Sequence, residues 1–248
     1  MILADLERET DGLGAMEYSL DRQSRDSISV SNSNIEEPAN PCVLPTQVLR
    51  QFQFTFLIRH PRLSIPSAYR MTIPPLSERT GWNKFMPEDA GYKELRVLFD
   101  YLRDTGILWH HESRLDSTEI GDTTKKTEER TGGICLIDAE EMLGNPAAIA
   151  GAYCKNTGLT FDVSMLEWDS PSKKKLAEEH FSGWMRPWHE ATVDSSSLKP
   201  PETFNATMEE DYARWVEQFG KKGAEIVHKT VEDNLGDYHY LKQYSLQV

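Results

Sequence analysis

Surplus positive charge is what this sequence lacks most plainly. Its 248 residues carry 27 Lys and Arg against 40 Asp and Glu, a formal net charge of −13. Nucleic acid and anionic membrane surfaces are gripped by surplus Lys and Arg, so neither is expected as the main partner. A small anion needs only a local cluster of donors and remains open as a ligand. Cysteine is scarce as well. Cys42, Cys135 and Cys154 have no paired spacing and read as reduced thiols of an intracellular protein. The apolar surroundings of Cys135 and Cys154 mark them as buried, structural thiols. No Cys and His cluster has metal-ligand spacing, so no metal is expected. No apolar run is long enough to span a bilayer, and the first residues lack a signal-peptide core. The expected compartment is the cytoplasm.

Aromatic bulk is plentiful. Six Trp, nine Phe and nine Tyr in a chain of this length are enough to build a globular core. Residues 1–40 read as poorly ordered, because 21–40 are almost entirely Ser, Asn, Asp, Arg and Glu. Residues 41–248 read as one α/β domain with an exposed polar insertion at about 112–133. A short helix is expected at 48–52. A nearly continuous apolar run, 54–58, suits a central parallel strand covered on both faces. Residues 87–103 read as a helix with Leu95, Leu98, Phe99 and Leu102 at i, i+3, i+4 and i+7, stopped at Gly106. Residues 134–137 form a second buried strand. Asn145-Pro146 opens a helix whose inner face is Ile149, Ala152 and Tyr153 and whose end is Gly158. Helical stripes follow at 173–184, 208–219 and 224–234. Strand and helix alternation followed by helices indicates an α/β protein, a parallel sheet flanked by helices with a helical C-terminal portion. Tyr238, Tyr240 and Tyr244 pack either the core or a dimer face, which leaves a homo-oligomer open.

The most informative stretch runs Phe54-Thr-Phe-Leu-Ile-Arg59-His60-Pro61-Arg62-Leu-Ser64-Ile-Pro66-Ser67-Ala-Tyr69-Arg70. It reads as a buried strand entering a loop with three arginines and two serines. Ligands of α/β proteins bind outside the carboxyl edge of the sheet. Arg59 stands there, and a guanidinium can clamp phosphate through two parallel hydrogen bonds. Pro66 and Ser67 look like a helix opening, whose free N–H groups attract anions. Arg59 and Ser67 are therefore the candidate cofactor-binding pair. A solvated basic turn is the plainer reading of the same residues.

In these segments the chain resembles the sulfotransferase superfamily, which has a P-loop nucleoside triphosphate hydrolase-like fold. Arg59 and Ser67 match the Arg and Ser that bind the 3′-phosphate of 3′-phosphoadenosine 5′-phosphosulfate (PAPS). Ile134-Cys-Leu-Ile-Asp138-Ala-Glu140-Glu141 through Asn145-Pro146 resembles the family's strand, acidic turn and helix start. The resemblance is greatest to a sulfotransferase-like group of fungi and bacteria. It extends through Gly91-Tyr-Lys-Glu-Leu, Tyr153 to Asp162, Met165-Leu-Glu-Trp168 and Trp188-His189-Glu-Ala-Thr, about residues 42 to 200. It implies PAPS, or its product 3′-phosphoadenosine 5′-phosphate (PAP), as cofactor and a small-molecule substrate as partner. The chain departs from the family upstream. Residues 1–41 hold no phosphate-cradling loop: Gly12 and Gly14 have no Lys or Arg among them. The family's adenine-contacting Tyr falls at Ala139. Gly220-Lys-Lys-Gly223 is similar to the basic segment that closes over PAPS, but between two helical stretches it reads as a solvated turn.

Trp184-Met-Arg186-Pro-Trp188-His189-Glu190 is the remaining candidate. Two Trp, an Arg and a His this close suit a pocket wall, with His189 as the candidate catalytic residue and Trp184 and Trp188 as substrate-binding residues. A Trp-packed helix end with a surface His is the plainer reading. Three functions remain open: sulfuryl transfer from PAPS to a hydroxyl, other chemistry such as isomerisation, cyclisation or elimination on the same fold, and non-catalytic binding.

Overall fold

Two short strands organise the chain, β1 (Thr55–Ile58) and β2 (Cys135–Asp138). They pair in parallel, Thr55 beside Cys135 and Ile58 beside Asp138. The computed structural model describes residues 40–108, 133–183, 186–198 and 206–248, all within the unit Glu37–Val248. The expected disordered segment and polar insertion lie outside the described residues, except for Asn40 and Gly133. Beyond β2, the C-terminal tail adds an isolated parallel bridge from Ser245 to Leu136, and the Leu246 N–H donates to the Leu136 carbonyl at 2.8 Å.

Helices make up most of the rest. They are α1 (Thr46–Leu49), α2 (Pro61–Met71), α3 (Leu76–Thr80), α4 (Tyr92–Asp104), α5 (Ala139–Gly144), α6 (Pro146–Thr157), α7 (Pro171–His180), α8 (Arg186–Val193) and α9 (Met208–Lys242). The protein is therefore α/β, as its alternating pattern implies, with a parallel sheet of two strands among the described residues.

The main core cluster lies on one face of the sheet. Phe56, Ile58 and Leu136 pack with Phe99 and Leu102 of α4 and with Tyr238 and Leu241 of α9. Phe56 meets Phe99 edge to face, centroids 5.4 Å apart. Along a strand, alternate side chains point to opposite faces. Phe56 and Ile58 are buried, while Leu57 between them is 67% exposed. This corrects the expectation of a strand covered on both faces: among the described residues α4 and α9 cover one face, and β2 pairs only one edge. A second cluster joins Ile65 of α2 to Trp215, Ala224, Val227 and Val231 of α9.

Local signals explain the helix ends. The 87–103 stretch divides into a 3-10 turn, Pro87–Ala90, and α4, because Gly91 between them takes φ 73°. At the end of α4, Gly106 takes φ 68°, and the Gly106 and Ile107 N–H groups donate to the Arg103 and Leu102 carbonyls at 2.9 and 2.8 Å. That is the Schellman pattern, which satisfies carbonyls the helix leaves open. In α6 the buried residues are Ile149, Ala150 and Cys154; of the expected inner face Ile149 is among them, while Ala152 and Tyr153 are half-buried. α9 is two helices joined at Gly220, whose φ 71° and ψ 168° only glycine adopts readily. Thr207 and Glu210 close its start as a capping box. Beyond the bend Gly223 lets Tyr69 approach: a Cβ there would lie 2.8 Å from the tyrosine oxygen. No helix among the described residues is long and apolar enough to cross a membrane.

Candidate functional site

At the carboxyl edge of the strands the chain turns directly into α2. Pro61 is the first helical residue and His60 the cap, its ring accepting from the Arg62 N–H at 3.2 Å. Pro is favoured there because its missing N–H would have had no helical partner. The expectation that Pro66 and Ser67 open the helix is thus corrected. Pro66 sits inside α2, where it forgoes one backbone bond. Ser67 falls near the end of the second turn, about 9 Å along the axis from Pro61. Ser67 is half-buried, and its hydroxyl has no hydrogen-bond partner among the described residues.

Arg59 stands in front of the helix. Its Nε donates to Glu140 Oε1 at 3.3 Å, and the His60 N–H donates to Glu140 Oε2 at 2.9 Å. Glu140 comes from α5, whose start is fixed by Asp138. The Asp138 Oδ1 accepts from the Glu140 and Glu141 N–H groups at 2.9 and 3.2 Å, and its Oδ2 from the Tyr238 hydroxyl at 2.6 Å. Lys242 lies 3.3 Å from the same carboxylate, which is 1% exposed as a residue. Arg59 is 43% exposed in its side chain, and its Nη nitrogens have no partner among the described residues. The other two arginines of this stretch are held elsewhere. Arg62 binds Asp211 at 2.5 Å and the Ala206 carbonyl, fastening α2 to the start of α9. Arg70 reaches Gln218 at 3.5 Å.

The charges around His60 decide its state. Burial chiefly lowers its pKa, to about 4. Arg62, His239 and Lys242 add to the fall, and Asp138 opposes it. The ring is therefore neutral at physiological pH, which its capping role requires, because a protonated Nδ1 cannot accept the Arg62 N–H. Burial also pushes Tyr92 up to about 12 and the Cys135 thiol up to about 11. The latter is an unreactive thiol by position.

Along the flank of α2 opens a cavity of about 260 Å³. Ser64, Ile65 and Ala68 form one wall. Trp82, Phe85, Met86 and Asp89, from the segment before α4, form another. Trp188 of α8 closes the third, its ring edge to face with Trp82 at 5.0 Å. Tyr92 at the start of α4 connects cavity and strand edge: its hydroxyl donates to the Arg59 carbonyl at 2.6 Å and lies 2.6 Å from Ser64 Oγ. Ser64 is then the donor to Tyr92.

The structure brings Arg59 and Trp188 to neighbouring parts of α2's surroundings, while Ser67 lies on that helix beyond its first turn. Successive helical residues point about 100° apart, and His189, next to Trp188, is not among the cavity's lining residues. Its ring packs on Phe181 at 4.3 Å. Trp184 lies outside the described residues. Sequence reasoning missed Trp82, Phe85, Asp89 and Tyr92. Gly91-Tyr92 stood within a resembling segment, which was the available signal, whereas 82–86 has no periodicity. Among the described residues no group of His, Cys, Asp and Glu could hold a metal ion.

Two curated proteins align with the chain at this point. One is "Sulfotransferase ppzF" of Metarhizium majus, 23% identical over 225 residues, and the other the protein of the same name from Metarhizium rileyi, 22% identical over 225 residues. The chain is a distant relative of fungal sulfotransferases. Each alignment takes in 89% of this chain but 61% of the relative, so the chain spans less than two thirds of the length of these relatives. No family model and no solved structure matches it.

Proposed function

We propose that the chain belongs to a sulfotransferase-like enzyme acting on a small molecule, with the 3′-phosphate of PAPS held at Arg59 and the acceptor in the aromatic cavity. The observation that carries this reading is adjacency on one helix. Arg59 precedes the N-terminus of α2 at the carboxyl edge of the strands, where α/β proteins bind ligands. The cavity lies on the flank of the same helix, joined to Arg59 by the Ser64–Tyr92–Arg59 hydrogen bonds.

The residues present fit one phosphate. Glu140 holds the Arg59 Nε and leaves the two Nη nitrogens, the pair that makes parallel hydrogen bonds to phosphate oxygens. Ser67 lies about 9 Å further along α2 than Pro61 and is not counted toward this fit. PAPS would supply the activated sulfuryl group. The cavity's apolar walls would exclude water around the acceptor and so strengthen the polar contacts made there. The distant similarity to fungal sulfotransferases supports sulfuryl transfer as the reaction.

One observation favours the rival reading, in which the cavity serves an isomerisation, cyclisation or elimination without PAPS. Glu140 already neutralises Arg59, which weakens its pull on an anion. Calorimetric titration with PAP separates the two. The proposal expects measurable binding by the wild type and a loss of about tenfold or more in Arg59→Ala, the factor worth about 1.4 kcal/mol. A wild type that does not bind PAP contradicts the transfer reading and leaves the rival.

A further inference from the structure

The aromatic cavity carries a sign as well as a shape. Trp82, Phe85 and Trp188 supply ring faces and edges, and the only ionisable side chain among its lining residues besides the buried Tyr92 phenol is the Asp89 carboxylate. The lining contains no Arg, Lys or His. Asp89 is exposed, and among the described residues its carboxylate has no hydrogen-bond or ion-pair partner. Aromatic faces are the negative side of the ring quadrupole and attract cations, Trp most strongly. An unpartnered carboxylate beside them adds to the same preference. An anion would meet these groups with no positive charge to offset them.

We propose that the cavity takes a small apolar molecule bearing a protonated amine, its body between the tryptophans and its ammonium at Asp89. This rests on reading the cavity as the acceptor site, and it narrows the acceptor to an amine-bearing compound. The uncharged hydroxyls of Ser64 and Tyr92, already bonded to each other, offer the same molecule polar contact without competing for its charge.

Calorimetry on the full chain tests this with three probes that share a phenethyl body: phenethylamine, 2-phenylethanol and 3-phenylpropionate. Phenethylamine is expected to bind at least about tenfold more tightly than the alcohol, a factor of about 1.4 kcal/mol, with the carboxylate weakest. Asp89→Asn should bring amine and alcohol to near equality while the thermal midpoint stays unchanged, since the carboxylate makes no internal contact. Trp188→Ala should weaken amine and alcohol alike. The proposal is overturned if the alcohol or carboxylate binds as tightly as the amine, if no probe binds, or if Asp89→Asn leaves the preference intact. A parallel PAP titration keeps the two readings apart. Amine preference without PAP binding upholds the cavity's selectivity and contradicts sulfuryl transfer, and PAP binding without amine preference does the reverse.

Discussion

Asp138 connects more of this molecule than any other side chain around the strand edge. It caps α5, accepts from Tyr238 and faces Lys242, with almost no exposure to water. Replacing it with Ala would leave a buried hydroxyl and two backbone N–H groups without their acceptor, and Lys242 with Glu141 as its remaining carboxylate partner. Breaking a buried charged network in this way costs about 3–5 kcal/mol, so Asp138→Ala is expected to lower the urea midpoint sharply. A loss under about 1 kcal/mol would contradict the network. His60 gives the second prediction at this scale. Its pKa in the fold, about 4, lies below the ordinary value of 6.5, so the unfolded chain binds more protons between those pH values. Stability contributed by the neutral ring is complete above pH 6.5 and is lost as pH falls toward 4. His60→Asn keeps an acceptor for the Arg62 N–H but does not titrate. The variant's stability should therefore fall less than the wild type's across that window, measured by denaturation at several pH values. Parallel curves would rule out His60 as the source.

The elements were legible where a short-range rule decides them. Gly106 ends α4 and Gly158 ends α6 as their sequence positions imply, each at positive φ. The two strands also fall within a residue of their apolar runs. The start of α2 was misplaced because His60-Pro61 is itself a cap and first position, a signal hidden beside the more conspicuous Pro66-Ser67. Burial was the harder inference. An apolar run such as 54–58 reads as buried throughout, yet which face is covered depends on α4 and α9, distant in sequence. That difference predicts unequal neighbours. Phe56→Ala should cost about 3–5 kcal/mol through the cavity it leaves, whereas Leu57→Ala should stay within about 0.5 kcal/mol. Equal losses would mean the outer face is covered. The bend in α9 is a third element-level test. Gly220→Ala forces a side chain into a glycine-only conformation and should cost about 1–3 kcal/mol, seen as a lower thermal midpoint. No loss would indicate that α9 runs straight.

For the whole molecule, the candidate site was legible in outline from the sequence. Arg59 sits at the strand edge and Trp188 on a cavity wall, both named from local pattern. What could not be read was assembly: the segment 82–89 has no periodic signal and becomes a wall only when α2, α4 and α8 enclose it. Nor could spacing reveal that Glu140 would reach back to Arg59 from the acidic turn. These long-range placements put an anion-binding candidate and an aromatic cavity side by side, in a chain with distant similarity to fungal sulfotransferases. The proposed role of Arg59 is to recognise the 3′-phosphate. The direct measurement is a four-way calorimetric cycle, with wild type and Arg59→Ala each titrated with PAP and with AMP, which lacks that phosphate. Removing the 3′-phosphate is expected to weaken binding about tenfold or more in the wild type, equivalent to about 1.4 kcal/mol, and hardly at all in Arg59→Ala. Equal losses in both proteins, or no preference for PAP in the wild type, would contradict it.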